Sequence, residues 1–147
     1  MLTKKKDRGG RDMQLKATKT IAKEKFKDFF HDKVELPDFK EQKKHGYFLQ
    51  DGSEILAFFS LFPVDKSKYW LRAFVMKTNA PITLPVSIIQ SAQKLTAHFG
   101  GDELYILSTS SALDDLLQQL DFEKTYPLLI HEKKGNWWIN KVLVVDK

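Results

Sequence analysis

Apolar residues recur along the chain at two spacings, and each spacing predicts one kind of element. A recurrence every three to four residues is typical of an amphipathic helix. The first helix predicted in this way begins after Thr18 or Thr20, either of which can cap it with its hydroxyl. Its apolar face carries Ala22, Phe26, Phe29 and Phe30. The polar stretch Pro37–Lys44 predicts a loop or a short helix.

Two further helices are predicted in the second half of the chain. Leu84–Phe99 has an apolar stripe and carries Pro85 in its first turn, where the missing N–H costs no hydrogen bond. The last helix begins at Ser111 and Asp114, which have the spacing of a capping box. Its apolar face carries Leu113, Leu116, Leu117 and Leu120.

Shorter apolar runs bounded by turn residues predict strands. Tyr47–Gln50 and Glu54–Phe62 are joined by Asp51-Gly52, a pair that tolerates the positive φ of a two-residue hairpin. Tyr69–Lys77 is nearly continuous in apolar residues, which is typical of a strand covered on both faces. The other predicted strands are Gln14–Thr18, Glu103–Leu107, Phe122–Tyr126, Leu128–Glu132 and Trp137–Val145.

The order of these elements predicts an α/β fold, in which helices flank a central mixed sheet of about six or seven strands. A strand, a helix and a strand follow one another from Tyr69 to Leu107. Such a βαβ unit places its two strands in parallel. We therefore expect Tyr69–Lys77 and Glu103–Leu107 to be parallel, whereas the hairpin strands before them are antiparallel.

Length and charge predict one domain with a basic tail. Of the 147 residues, we expect 1–12 to be disordered and 13–147 to form the domain. The tail carries five basic and two acidic side chains, and its net charge of +3 leaves +2 of the chain's +5 for the domain. Nucleic acid binding needs many clustered cations on a folded surface. A solvated tail is therefore favoured over the alternative, a nucleic-acid-associated protein that uses its basic tail.

The residue content excludes several kinds of site. The chain has no cysteine, which excludes disulfides, thiolate zinc sites and cysteine nucleophiles. No two histidines lie three to five residues apart, so we expect no metal site. No apolar run approaches the roughly 20 residues that a membrane helix requires, and the charged N-terminus does not have the pattern of a secretory signal. We expect a cytoplasmic protein that does not bind membranes; its oligomeric state stays open.

The segment Ser110–Phe122 resembles the late helix of the GNAT N-acetyltransferase superfamily. The family pattern is an asparagine, an alanine three residues on, a leucine–tyrosine pair and a glycine–phenylalanine end. Here Ser110 takes the asparagine position, Leu117 the tyrosine position and Asp121 the glycine position. The closing run Trp137–Leu143 is similar to the family's terminal strand. The resemblance implies a GNAT fold and the transfer of an acetyl group from acetyl-CoA to the amine of a small molecule or a protein.

In that family a glycine-rich loop between a strand and a helix holds the diphosphate of coenzyme A. When the pattern is laid without gaps from Val75, the family's arginine falls on Ala80. Its three glycines fall on Pro81, Thr83 and Pro85. Two of these positions are prolines, which have no N–H to donate. Together with the loss of the family's tyrosine, they favour the alternative of a catalytically inactive GNAT-like binding module.

The resemblance also implies the residues of a site. The main-chain N–H groups that would hold the thioester carbonyl belong to Val75, Met76 and Lys77. The residues that would meet the phosphates are Lys77, Thr78, Thr83 and Ser87. The catalytic candidates, which lie on or beside strands that border the family's active cleft, are Glu54, Glu103 and Tyr105. A carboxylate there could deprotonate the amine, although an outward-facing strand residue is the other interpretation.

Overall fold

The computed structural model describes residues 5–6, 12–30, 38–77, 81–126 and 135–142. Within these residues one sheet of eight strands has the order β1-β2-β3-β4-β5-β6-β8-β7. The strands are β1 (Lys5–Lys6), β2 (Asp12–Ala17), β3 (Gly46–Asp51), β4 (Glu54–Pro63), β5 (Lys68–Met76), β6 (Glu103–Ser108), β7 (Glu123–Thr125) and β8 (Asn136–Lys141). A 3₁₀ helix spans Thr18–Thr20, and the α-helices are α1 (Lys23–Phe29), α2 (Phe39–Lys44), α3 (Leu84–His98) and α4 (Ser111–Gln119).

The sheet is mixed, as the sequence predicts. β3 pairs in antiparallel fashion with β2 and with β4. β5 and β6 are parallel, with Lys68 opposite Glu103 and Leu71 opposite Ile106. β8 is antiparallel to both β6 and β7. The α/β prediction is therefore confirmed, including the parallel strands of the βαβ unit around α3.

Part of the predicted tail pairs with the sheet. Lys5 and Lys6 of β1 lie opposite Met13 and Asp12 of β2 in an antiparallel register. The other residues before Asp12 lie outside the described residues, so the disorder of the tail stays a prediction. The predicted strand Leu128–Glu132 also lies outside them.

Backbone contacts divide the chain into two compact units. The first unit comprises Met1–Ser60 and Ala73–Pro81. The second unit comprises Leu61–Arg72 and Ile82–Lys147. The division crosses both β4 and β5, so each of these strands contributes one part to each unit.

The first unit is packed around phenylalanine rings. Phe26, on the predicted apolar face of α1, is fully buried. Its ring centroid lies 5.0 Å from that of Phe30 and 5.5 Å from that of Phe58, both edge to face. Such pairs contribute about 0.5–1.5 kcal/mol beyond the area they bury. The other members of this core are Phe29, Phe48 and Ala73.

The second unit buries one face of each of its helices. Its fully buried apolar residues include Leu84, Ile88, Ile89 and Ala92 of α3, Leu104 of β6 and Leu117 of α4. The side-chain amide of Gln93 donates a hydrogen bond to Oδ1 of Asn140 at 3.0 Å, which joins α3 to β8. The predicted apolar stripe of α3 is thus its buried face, except at Phe99, which is 45% exposed.

Two helix caps differ from the predicted ones. Ala22 precedes α1 and has no polar side chain to cap it. The hydroxyl of Thr18 donates to the carbonyl of Lys43, and that of Thr20 donates to the carbonyl of Ala17. At α4 the cap is Ser110, one residue earlier than predicted, and its Oγ accepts a hydrogen bond from the amide of Leu113 at 3.1 Å. Ser110 has the extended backbone that an N-cap requires.

Candidate functional site

The end of β5 carries the residues that the sequence implies for a thioester. Val75 and Met76 are the last two residues before Lys77, and Met76 is 37% exposed. The amide of Lys77 donates to the carbonyl of Leu56 on β4 at 2.9 Å. That N–H is therefore used within the sheet, whereas the side chain of Lys77 extends from the strand end.

Two of the predicted candidates meet at this strand end. The ammonium of Lys77 lies 3.6 Å from a carboxylate oxygen of Glu54, the first residue of β4. Both side chains are partly exposed, at 35% for Lys77 and 47% for Glu54. An ion pair as exposed as this contributes about 0–1 kcal/mol. Either partner can therefore turn to a ligand at little cost.

The start of α3 belongs to the second unit. Thr83 precedes the helix, and among the described residues its side chain makes no capping hydrogen bond. The amide of Ser87 donates to the carbonyl of Thr83 at 3.2 Å, while Pro85 in the first turn has no N–H. Leu84 and Val86 supply the remaining amides of this turn, at the positive end of the helix dipole. Thr78 and Ala80 lie outside the described residues.

Glu103 and Tyr105 form a second polar group, also in the second unit. The hydroxyl of Tyr105 donates to Oε1 of Glu103 at 3.1 Å. The ammonium of Lys68 lies 3.4 Å from the same oxygen. Burial and the hydrogen bond to Glu103 raise the pKa of Tyr105 to about 12, so its hydroxyl stays protonated at neutral pH. The sequence does not indicate Lys68, because only the parallel register of β5 and β6 brings it opposite Glu103.

The eight implied residues that the structure describes therefore fall into separate groups. The first unit holds Glu54, Val75, Met76 and Lys77 at the adjoining ends of β4 and β5. The second unit holds Thr83 and Ser87 at the start of α3, and Glu103 and Tyr105 on β6. Among the described residues, side-chain contacts join Glu54 with Lys77 and Glu103 with Tyr105, and a main-chain hydrogen bond joins Ser87 to Thr83.

The end of α4 supports the resemblance at one position and departs from it at another. Asp121 adopts a φ of 68°, the left-handed conformation that favours glycine, and it occupies the family's glycine position. Phe122 follows it and is buried. Leu117, at the tyrosine position, is fully buried and has no proton to donate. The end of α4 thus keeps the backbone conformation of the family's motif but lacks the family's tyrosine.

Solved structures of acetyltransferases share this architecture. A GNAT family acetyltransferase from Elizabethkingia anophelis with acetyl-CoA bound matches at a TM-score of 0.67 and 10% identity, over 88% of this chain and 97% of that one. The N-acetyltransferase PseH of Campylobacter jejuni matches at a TM-score of 0.63 and 14% identity, over 88% and 97%. This chain has the GNAT fold. The resemblance drawn from Ser110–Phe122 is confirmed at the level of the fold.

The same GNAT fold forms part of a larger enzyme. N-acetylglutamate synthase from Neisseria gonorrhoeae, complexed with coenzyme A and N-acetyl-glutamate, matches at a TM-score of 0.66 and 6% identity over 89% of this chain. The chain spans 35% of the length of that synthase. No model of a protein family matches the sequence, and no curated protein sequence matches it either.

In the ranges that the structure describes, no group of three or more histidine, aspartate or glutamate side chains is placed to hold a metal ion. None of the described helices is both long and apolar enough to cross a membrane.

Proposed function

We propose that this protein is an acyltransferase that moves an acetyl group from acetyl-CoA to an amine. The GNAT fold supports this proposal, as do neighbours of that fold whose structures contain acetyl-CoA or coenzyme A. The amine substrate is a small molecule or an exposed amine of a protein.

The direction of the amides of β5 is the observation that carries the proposal. The amide of Lys77 donates to the carbonyl of Leu56 on β4, and the amide of Ala73 donates to the side-chain hydroxyl of Ser60 on the same strand. Successive amides of a strand point to opposite sides. The amide of Met76 therefore points away from β4, and of the three implied amides it is the one directed to a ligand at the other edge of β5.

The chain offers different kinds of group to the thioester and to the diphosphate of acetyl-CoA. We expect the N–H of Met76 to polarise the carbonyl oxygen of the thioester, and a fixed donor of this kind makes a large contribution to acyl transfer. Each unit offers its own phosphate ligands, which are the ammonium of Lys77 in the first unit and the hydroxyls of Thr83 and Ser87 in the second. Pro81 and Pro85 supply no amides, so we expect the diphosphate to be held mainly by side chains. Bound acetyl-CoA supplies the acetyl group as a thioester.

Glu54 is the candidate base of the first unit. An amine is protonated at neutral pH and has to lose a proton before it attacks a carbonyl carbon, and a carboxylate can accept that proton. When Lys77 turns to a phosphate, the carboxylate of Glu54 loses its partner in the ion pair and becomes available. Glu103 is the alternative base, although its Oε1 already accepts a hydrogen bond from the hydroxyl of Tyr105 and lies close to the ammonium of Lys68.

A direct assay tests the proposal. The protein is incubated with acetyl-CoA and a panel of amines comprising amino acids, diamines and peptides with free N-terminal or lysine amines, and the released thiol and the acetylated product are measured. Lys77→Gln should raise the KM for acetyl-CoA about tenfold, because a charged hydrogen bond to phosphate is lost. Lys66→Gln is the matched control, since Lys66 is exposed and lies outside the implied site. Thiol release that never exceeds the uncatalysed rate would refute the transferase activity.

A binding module without catalysis is the second candidate. The buried Leu117 at the tyrosine position favours it, because no proton donor replaces the family's acid there. This candidate predicts saturable binding of coenzyme A, or of another ligand in its place, without product from any amine of the panel.

A further inference from the structure

A buried chain of hydrogen bonds joins α2 to β5 within the first unit. Gln42 and Ser60 are 2% and 0% exposed. The hydroxyl of Ser60 donates to Oε1 of Gln42, and the oxygen of the same hydroxyl accepts the amide hydrogen of Ala73 at 3.0 Å. Each hydrogen bond polarises the next one in such a chain. Gln42 therefore fixes the direction of the Ser60 hydroxyl, which in turn holds the amide of Ala73.

Close packing and one hydrogen bond hold the end of α2. A Cβ atom added at Gly46 would lie 2.6 Å from the carbonyl oxygen of Gln42 and 2.3 Å from a ring carbon of Phe58. The backbone that follows α2 is thus pressed directly against β4. The hydroxyl of Thr18 donates to the carbonyl of Lys43 at 2.6 Å and holds the last turn of the helix from the other direction.

The chain of hydrogen bonds ends at Ala73, three residues before Met76, whose amide the proposed function uses. Ala73 and Lys77 both donate to β4, and Met76 lies between them on β5. A rotation of the strand about its axis would turn the N–H of Met76 with it. The contact of Ala73 with Ser60 and that of Lys77 with Leu56 together oppose such a rotation.

We propose that Ser60 and Gln42 are positioning residues for the amide of Met76, a role that rests on the proposed acyltransferase function. Ser60 acts through Ala73, and Gln42 acts through Ser60. A merely structural role would predict that loss of the hydroxyl lowers stability while ligand affinity stays constant. A positioning role predicts that affinity for the coenzyme falls as well.

Hydrogen exchange and calorimetry on the same variants separate these roles. In Ser60→Ala the amide of Ala73 should exchange about tenfold faster or more, and the Kd for acetyl-CoA should rise about tenfold, because a buried donor and acceptor lose their partner. Gln42→Met should produce the same changes to a smaller degree. Ser60→Thr, which keeps the hydroxyl, should restore both values to near those of the wild type.

Thr96→Val is the matched control. Thr96 is fully buried, and its hydroxyl donates to the carbonyl of Ala92 within α3. The variant therefore loses a buried hydroxyl of the second unit that has no part in the hydrogen bonds of Ser60, and its exchange at Ala73 and its Kd should stay unchanged. If Ser60→Ala binds acetyl-CoA as tightly as Thr96→Val does, the positioning role is wrong. Exchange at Ala73 that does not change in Ser60→Ala would rule out the hydrogen-bond chain itself. A wild type that binds no acetyl-CoA would instead refute the proposed function, which the exchange measurement does not depend on.

Discussion

The indole nitrogen of Trp138 donates a hydrogen bond to Oδ1 of Asp114 at 2.9 Å, and this contact joins β8 to α4. The side-chain amide of Asn136 donates to the other carboxylate oxygen at 3.0 Å. The bond from Trp138 is the largest cause that lowers the pKa of Asp114 below its ordinary value of 3.8. The carboxylate form therefore stabilises the folded state above pH 3.8, and this contribution is lost as the pH falls through the lower folded-state pKa.

Acidification should therefore affect the wild type more than a variant without this carboxylate. We expect Asp114→Ala to have a lower Tm than the wild type at neutral pH, and the difference between the two should shrink below pH 3.8. Thermal unfolding, followed by circular dichroism at several pH values, measures this difference in Tm. Asp115→Ala removes an exposed carboxylate of the same helix and controls for net charge. A Tm difference that is constant with pH would contradict the assignment.

Tyr105 should titrate far above an ordinary tyrosine. Its pKa is raised from 10.0 to about 12, so the protonated phenol stabilises the fold below pH 10.0, and that contribution is lost as the pH rises towards 12. Ultraviolet absorbance at alkaline pH should show one phenol with a pKa near 12 that is missing in Tyr105→Phe. Glu103→Gln should lower this pKa, because it removes the charge that faces the phenolate. The control Tyr126→Phe, at a 92% exposed position, should leave the high titration in place.

Phe26 should be a large single contributor to stability. It is fully buried, and its ring contacts those of Phe30, Phe39, Phe48 and Phe58. Phe26→Ala should lower the free energy of unfolding by about 3–5 kcal/mol, because it removes a large apolar side chain and leaves a cavity. Unfolding in denaturant measures this loss of free energy. Ile82→Ala, at a residue 94% exposed, should change the free energy by less than about 0.5 kcal/mol; equal losses in both variants would contradict this core.

Replacement of Pro85 should strengthen the binding of coenzyme A. Pro85→Ala adds an N–H in the first turn of α3, at the positive end of the helix dipole. We expect the Kd for coenzyme A in calorimetry to fall about threefold, which corresponds to one further hydrogen bond to phosphate. Pro63→Ala, at the exposed end of β4, is the control and should have no effect. A weaker or unchanged affinity in Pro85→Ala would place the diphosphate away from this turn.

Local patterns were sufficient to predict much of the fold. Most of the apolar face of α1 and of the stripe of α3 is buried as predicted, whereas Ala22 and Phe99 are exposed. Gly52 adopts the positive φ of 61° that the hairpin requires. These features depend on neighbours in the chain, and a periodic pattern contains that information.

Contacts that depend on tertiary packing could not be predicted in the same way. Gln42 lies in a short helix of charged residues, and nothing in its neighbours distinguishes it from an exposed side chain. Its burial becomes evident only when α2 is packed on Ser60. Similarly, the contact of Lys68 with Glu103 requires the register of β5 and β6, which a sequence pattern does not specify. The candidate site was thus predicted as residues and positions, but its hydrogen-bond partners were not.

The N–H of Met76 points away from β4, and nuclear magnetic resonance shows whether acetyl-CoA contacts it. The amide resonances of β5 are followed while acetyl-CoA is added to the wild type up to millimolar concentration. We expect a saturable shift of the Met76 amide that is larger than the shifts of Ala73 and Lys77, whose N–H groups donate to β4. A Met76 resonance that stays in place, while acetyl-CoA binds elsewhere or does not bind, would show that this amide does not hold the thioester.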